Sequence, residues 1–314
     1  MSDLDKAVRT VVHECMGVRP NEEVLVVCNP ATRELGDALR NEAEAIGAQA
    51  VLAVMTERSS HAGEPPATVA EAMVAADVLL APTVQSLSHT AARKRATESG
   101  TRTATLPGAT VEMLSRVMSD DMEKLRHRGH RVAELLDRGT EARLTCDHGS
   151  NLRLGLQGRV AIPDAGELTE TGAFGNLPCG EGFIAPATAE GVLVVDGSIA
   201  GVGLVDEPVR LTIKDGHLVD ATGEAGAKLM DLLTVHGPDG TNVAELGIGT
   251  NEKAILTGNI LEDEKILGTA HIAFGASAAI GGNVQVPVHL DVVSMRPEVT
   301  IDGTPVVLEG RLLV

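Results

Sequence analysis

"EEVLVVCN", residues 22–29, carries five consecutive apolar residues and is closed by Asn-Pro. It does not alternate apolar and polar positions, as a strand with one wet face would. It reads as a strand covered on both sides, the kind found in parallel sheets. "AQAVLAVM" (48–55) and "DVLLAPT" (77–83) repeat the pattern, and "TRTATLPG" (101–108) reads as one more strand. Helical spacing separates them, in "LDKAVRTVVHECM" (4–16), "RELGDALRNEAEAIG" (33–47) and "ATVAEAMVAA" (67–76). Strands alternating with helices predict a doubly wound α/β domain. After the first strand stands "VVCNPATRELG" (26–36) and not the glycine fingerprint of a dinucleotide fold, so dinucleotide binding is not expected.

"MEKLRHRGHRVAELLDRG" (122–139) is a basic-then-apolar helix at the boundary, its His127 and His130 read as solvated helix-face residues. Beyond it the chain turns to β and Gly. "EARLTCDHGSNLRLGLQGRV" (141–160) reads as two alternating strands around a turn. "GVLVVDGSIAGVG" (191–203), "PVRLTIKDGHLVDATG" (208–223) and "RPEVTIDGTPVVLEGRLLV" (296–314) each carry a strand–Asp-Gly–strand hairpin signal. "GAKLMDLLTVHG" (226–237) is the helix among them, and His217 is expected on the surface. The expectation is an N-terminal α/β domain over 1–135 and a C-terminal α+β domain over 136–314, with an antiparallel, barrel-like sheet.

Composition narrows the function. The chain has 314 residues, 43% of them hydrophobic, with three Phe and no Tyr or Trp. A net charge of −18 argues against nucleic acid, whose phosphates require clustered Lys and Arg. No apolar run approaches the roughly 18 residues of a membrane span, and the polar N-terminus lacks the apolar core of a secretory signal. The four cysteines, at 15, 28, 146 and 179, include no C-x-x-C pair, as expected of reduced thiols in a cytoplasmic protein.

The chemistry gathers in the second half. In "HLDVV" (289–293) strand alternation points His289 and Asp291 the same way, and "GTAHIAFG" (268–275) sets His271 among small and apolar residues. Imidazole nitrogen and carboxylate oxygen are ligands for Zn, Co, Mn or Fe. Spacing alone leaves open a plainer reading, in which each His is a satisfied core residue and Asp291 caps a turn. Glu181 in "LPCGEGFIAP" (177–186) and Glu245 in "AELGIGTN" (244–251) are ringed by Gly, Pro and aliphatic residues, where an unpartnered carboxylate is costly. A shared cation would supply the partner, and two His with three carboxylates suffice for a metal pair about 3.5–4 Å apart. Cys179 is a possible soft ligand, read rather as a buried inert thiol.

"NLPCGEGFIAPATAEGVLVVDGSIAG" (176–201), "AELGIGTN", "EDEKILGTAHIAFG" (262–275) and "GGNVQVPVHLDVV" (281–293) together resemble the aminopeptidase T family of metallopeptidases. The resemblance is strong over most of the second half and loose over the first. It implies a homodimer of two-domain chains with a two-metal site in the C-terminal domain, its metals Zn, Co or Mn. The implied ligands are Glu181, Glu245, His271, His289 and Asp291, with Glu181 or Glu245 as proton acceptor. The implied reaction removes N-terminal residues from small peptides. The family's Tyr beyond the ligand His is missing here, where the chain reads "GASAAIGG" (275–282). That departure leaves a second enzyme class in view. His271, His289 and Asp291 form a two-His-one-carboxylate set of the kind that binds Fe(II) in non-haem oxygenases, and the same superfamily includes the ring-cleaving 2,5-dihydroxypyridine dioxygenase. Glu181 and Glu245 would then orient ligands or move protons. A metal-binding relative without turnover is the third possibility. His89 and Arg93, in "SLSHTAARKRATESG" (86–100), follow a strand end where parallel sheets bind ligands, and are candidate substrate contacts across a domain cleft.

Overall fold

The computed structural model describes residues 2–314 and divides into two compact units. The first contains the residues through Asp120 together with Gly166–Cys179, and the second Asp121–Ala165 with Gly180–Val314. The expected boundary at 135/136 thus moves to the start of helix Met122–Arg138, which belongs wholly to the second unit. Its buried stripe of Leu125, Gly129, Val132, Ala133 and Leu136 explains why. A Cβ built on Gly182 would stand 2.7 Å from Val132 Cγ1, so the helix packs directly on strand Glu181–Ile184. His127 and His130 lie on its exposed face, as the sequence pattern predicts.

In the first unit the five-stranded sheet is parallel throughout, in the order Gln49–Val54, Glu23–Cys28, Val78–Ala81, Arg102–Thr105 and Phe174–Asn176. The first four are the strands read from sequence, but Gln49–Val54 stands at the sheet edge and is not the covered strand expected: none of its residues is buried and Val51 is 58% exposed. The fifth comes from the returning segment, and three residues with a Gly in the middle carry no strand signal. At the carboxyl ends of the strands, Asn29 donates from Nδ2 to Met55 O at 2.9 Å and accepts from Val84 N–H at 2.8 Å. Thr32 donates to Pro82 O at 2.5 Å. These two side chains tie together the strand ends where a doubly wound sheet changes direction, the place at which dinucleotides bind in other folds.

The second unit contains two antiparallel sheets of eight and seven strands, and among the described residues neither closes into a barrel. Their inner faces share one buried cluster, with Leu144, Leu152, Leu193 and Val299 from the eight-stranded sheet and Leu246, Ile248, Ile272, Phe274 and Val292 from the other. Two of the Asp-Gly signals are hairpins: Asp215-Gly216 and Asp302-Gly303 both adopt positive φ, as tight two-residue turns require. "VVDGSI" is not. Strand Thr188–Val195 belongs to the eight-stranded sheet and Ser198–Ile199 to the seven-stranded one, so this Asp-Gly carries the chain from one sheet to the other. Asp196 fixes that crossing by accepting the Met295 N–H at 2.8 Å. His217 is half-buried at the start of strand His217–Ala221. Among the described residues no helix is long and apolar enough to cross a membrane.

Candidate metal centre

Strand register gathers the candidate ligands. Strand Ala270–Gly275 alternates Ala270, Ile272 and Phe274 into the shared core against His271, Ala273 and Gly275 on the opposite face. On one side its partner strand sets Asp291 opposite Ala273 and His289 opposite Gly275. On the other, Glu245 stands opposite Ala273 and Gly247 opposite His271. One strand further, Glu181 pairs with Gly249, and Asp164 pairs with Glu181 at the sheet edge. All five sequence-derived ligands therefore share one face of four neighbouring strands. Gly247, Gly249, Ala273 and Gly275 between them leave the room.

The close geometry centres on His271, which is 1% exposed. Its Nε2 lies 2.8 Å from Glu181 Oε2 and 3.2 Å from Glu245 Oε1. His289 Nε2 lies 3.5 Å from Glu245 Oε2 and 3.7 Å from Asp291 Oδ1. The other ring nitrogen, Nδ1, is 2.7 Å from Ala276 O. Donation to that carbonyl would leave Nε2 with its lone pair toward the carboxylates, the usual support for a ligating His. In each of two donor sets, Glu181, Glu245 and His271, and Glu264, His271 and Asp291, the ligand atoms lie within 4.8 Å of one another. This chemistry suits a divalent ion, and buried Glu181 Oε2 faces the His271 ring nitrogen at 2.8 Å without the geometry of a hydrogen bond.

Sequence reasoning missed three members. Lys265, 1% exposed, places its ammonium between Glu181 Oε1, Glu264 Oε1 at 2.6 Å and Asp164 Oδ2 at 3.4 Å. "EDEK" (262–265) has the look of a solvated turn, yet all four side chains are buried. Asp263 accepts backbone N–H groups of Thr257 and Gly258 at 2.7 and 2.9 Å, and Glu262 that of Ile255 at 3.0 Å, so the acids order their own loop.

Charge follows the geometry. Burial tends to discharge His271, but Glu181 and Glu245 outweigh it and hold its pKa well above the usual imidazole value. Asp291 and Glu245 do the same for His289. Burial would raise Glu245, yet the two imidazoles hold it well below the usual carboxylate range. Binding a divalent ion here would release the imidazole protons. Burial pushes Asp164 up to about 7, against the pull of Lys265. It pushes Glu264 up to about 8, again against Lys265 and with the help of Asp291 and Glu181.

The remaining candidates lie in the first unit. His89 is exposed just before helix Ala91–Glu98. Arg93 sits 4.0 Å over the Phe174 ring and donates from Nε to Ser88 O at 2.7 Å, which gives it a packing role of its own. Cys179 is buried in the same unit.

Comparison with known proteins gives two kinds of relative. The family model described as NicX, 2,5-dihydroxypyridine 5,6-dioxygenase, matches residues 3–314. Aminopeptidase PepS of Streptococcus thermophilus is 26% identical over 179 residues, 49% of this chain and 43% of that protein. The matched stretch thus spans less than half the length of that curated relative. Among solved structures, 2,5-dihydroxypyridine dioxygenase from Pseudomonas putida KT2440 superposes with a TM-score of 0.86 at 21% identity, covering 100% of this chain and 98% of that one. AmpT from Thermus thermophilus gives 0.74 at 20% identity, covering 99% of each chain. The sequence resemblance to aminopeptidase T thus has its counterparts in PepS and AmpT. With the family match running from residue 3 to residue 314, the chain belongs to the NicX, 2,5-dihydroxypyridine 5,6-dioxygenase, family and shares its fold with AmpT.

Proposed function

We propose that this chain is a non-haem Fe(II) dioxygenase that opens a dihydroxylated aromatic ring, 2,5-dihydroxypyridine being the first substrate to test. The observation that carries the reading is the placement of His271, His289 and Asp291 on one face of two adjacent strands, with Asp291 in reach of His289 and in one donor group with His271. The family match over nearly the whole chain supports it. An iron(II) ion, when bound, supplies the one-electron activation of dioxygen that a closed-shell ring cannot begin alone. The chain's own groups do the rest. Ala276 O orients His289, and Glu245, once metal binding has displaced the imidazole protons that hold its pKa down, is the group proposed to take the proton of a ring hydroxyl. Glu181, anchored by Lys265, orients His271. His89 and Arg93 remain proposed substrate contacts, and the homodimeric, cytoplasmic setting implied by the aminopeptidase T resemblance is part of the same proposal.

A second reading, metal-dependent removal of N-terminal residues from peptides, is favoured by the close group of Glu181, Glu245 and His271, which gives a hydrolytic metal pair a second set of donors. Without the family Tyr its rate should be lower by roughly 10²–10³, the usual cost of one lost oxyanion-stabilising group.

One protein preparation tests both. After anaerobic loading with Fe(II), oxygen uptake stoichiometric with loss of 2,5-dihydroxypyridine absorbance is expected. No oxygen uptake, together with release of N-terminal residues from small peptides under Co, Zn or Mn, would replace the first reading by the second.

A further inference from the structure

Five buried or half-buried carboxylates, Asp164, Glu181, Glu245, Glu264 and Asp291, crowd this face of the sheet, and Lys265 is the cation fixed among them. An ammonium has three N–H donors. Here Glu181 and Glu264 accept from it, and Asp164 Oδ2 lies 3.4 Å away. Glu181 is shared, with Oε1 toward the Lys265 ammonium and Oε2 at 2.8 Å from His271 Nε2. Glu181 thus sets one oxygen on the ammonium and the other beside a candidate metal ligand, the placement of a carboxylate shared across a metal pair about 3.5–4 Å apart. In this chain a covalently attached ammonium takes one of the two places. Its position is fixed by the backbone as well: Lys265 N–H donates to Glu262 O at 2.9 Å, and Lys265 O accepts from Asn251 N–H at 2.9 Å.

We infer that Lys265 is a built-in second cation, which fills the place a second metal ion would take beside His271 and so limits the centre to one metal ion per chain. The inference rests on reading His271, His289 and Asp291 as a metal centre, and not on which reaction the centre performs. An ammonium neutralises the carboxylates but has no open coordination position. It cannot bind water or a carbonyl oxygen as a second metal would.

Removing the side chain should convert the lysine pocket into a hard-cation site of three carboxylates, the donor set that Mn(II) accepts. The probe is Mn(II) itself, loaded onto the metal-free full chain, counted by plasma mass spectrometry after desalting and examined by electron paramagnetic resonance. Wild type and Lys265→Arg, which keeps the charge, should each hold one Mn(II) per chain with the signal of an isolated ion. Lys265→Ala should hold two, with the signal of a coupled pair. If Lys265→Ala loses its far-UV circular dichroism when metal-free, added Mn(II) should restore it. Two ions in wild type, one in folded Lys265→Ala, or no restoration of an unfolded Lys265→Ala would each overturn the inference. A wild type that takes up no Mn(II) would instead overturn the metal-centre reading beneath it. Peptide cleavage by a one-metal wild type would overturn the dioxygenase proposal and leave the role of Lys265 standing.

Discussion

Gly247 tests the site most directly, because the His271 ring lies against its backbone. A Cβ at this position would stand 2.0 Å from His271 Nε2 and 2.2 Å from Cε1, where ordinary contact begins at 3.4 Å. Gly247→Ala therefore drives the ring back by roughly 1.4 Å, and it moves the nitrogen that faces Glu181 and Glu245. Metal–nitrogen bonds are about 2.0–2.1 Å and tolerate some 0.2 Å, so a shift of that size removes His271 as a ligand. Changes one shell further out weaken metal binding about 10–100-fold, and displacing the ligand itself should reach at least the upper figure, about 2.8 kcal/mol. Titration of the metal-free protein with Mn(II) against a chromophoric chelator measures this. The control is Gly129→Ala, behind strand Glu181–Ile184, where the nearest atoms beyond the helix backbone are 3.4 and 3.6 Å away. There Ala should leave metal affinity unchanged and stabilise the helix by about 0.5–1 kcal/mol. A folded Gly247→Ala protein that binds Mn(II) within threefold of wild type would show that His271 does not ligate.

Chelation should lower the melting temperature of the second unit by roughly 5–10 °C, the loss expected when a ligand present at about 100 times its Kd is withdrawn. With no Trp or Tyr in the chain, far-UV circular dichroism must follow the melt; an unchanged curve after confirmed metal removal would count against a buried site. In the first unit Arg102 grips Glu22 through two bonds of 2.7 and 2.9 Å, and Glu22→Gln should cost about 1.5–3 kcal/mol in denaturant titration. Burial opposes ionisation of Glu22, but Arg102 and the Arg19 N–H outweigh it and depress its pKa. Its contribution is therefore complete above the unfolded value of about 4.3 and is lost as pH falls through the lower folded value, so Glu22→Gln should flatten the acid limb of stability against pH.

What was legible in sequence had a period or a paired signal. Three apolar runs and the more polar Arg102–Thr105 were legible as strands, and the intervening helices made them parallel, but the covering of both faces fails at the edge strand Gln49–Val54, where no residue is buried. Phe174–Asn176 joins the same sheet without any such signal, because it is short and adds to an edge already built. The Asp-Gly at 196–197 had the chemistry of a hairpin turn but leads between sheets. Turn residues report local backbone, and which sheet the next strand enters is decided by packing. The helix at 122–138 was visible, but the strands it covers were not. Its allegiance depends on Gly182, whose missing side chain admits Val132.

The site divides along the same line. His289 and Asp291 are two residues apart on one strand, so their common face follows from alternation alone. Glu181, Glu245 and His271 stood out as polar residues among Gly and aliphatics, a pattern that becomes an address only once strand order sets them side by side. Lys265 stood out from nothing. It follows three acids, and in a chain of net charge −18 such a run looks like surface. Its burial depends on Asp263 and Glu262 spending their charges on backbone amides of the same loop, which turns the neighbouring Glu264 and Lys265 inward. The part of the centre that sequence could not reveal is thus its neutralisation. Ligands are named by residue type and spacing, whereas the cation that balances them is found only where three distant segments, 164, 181 and 264–265, meet.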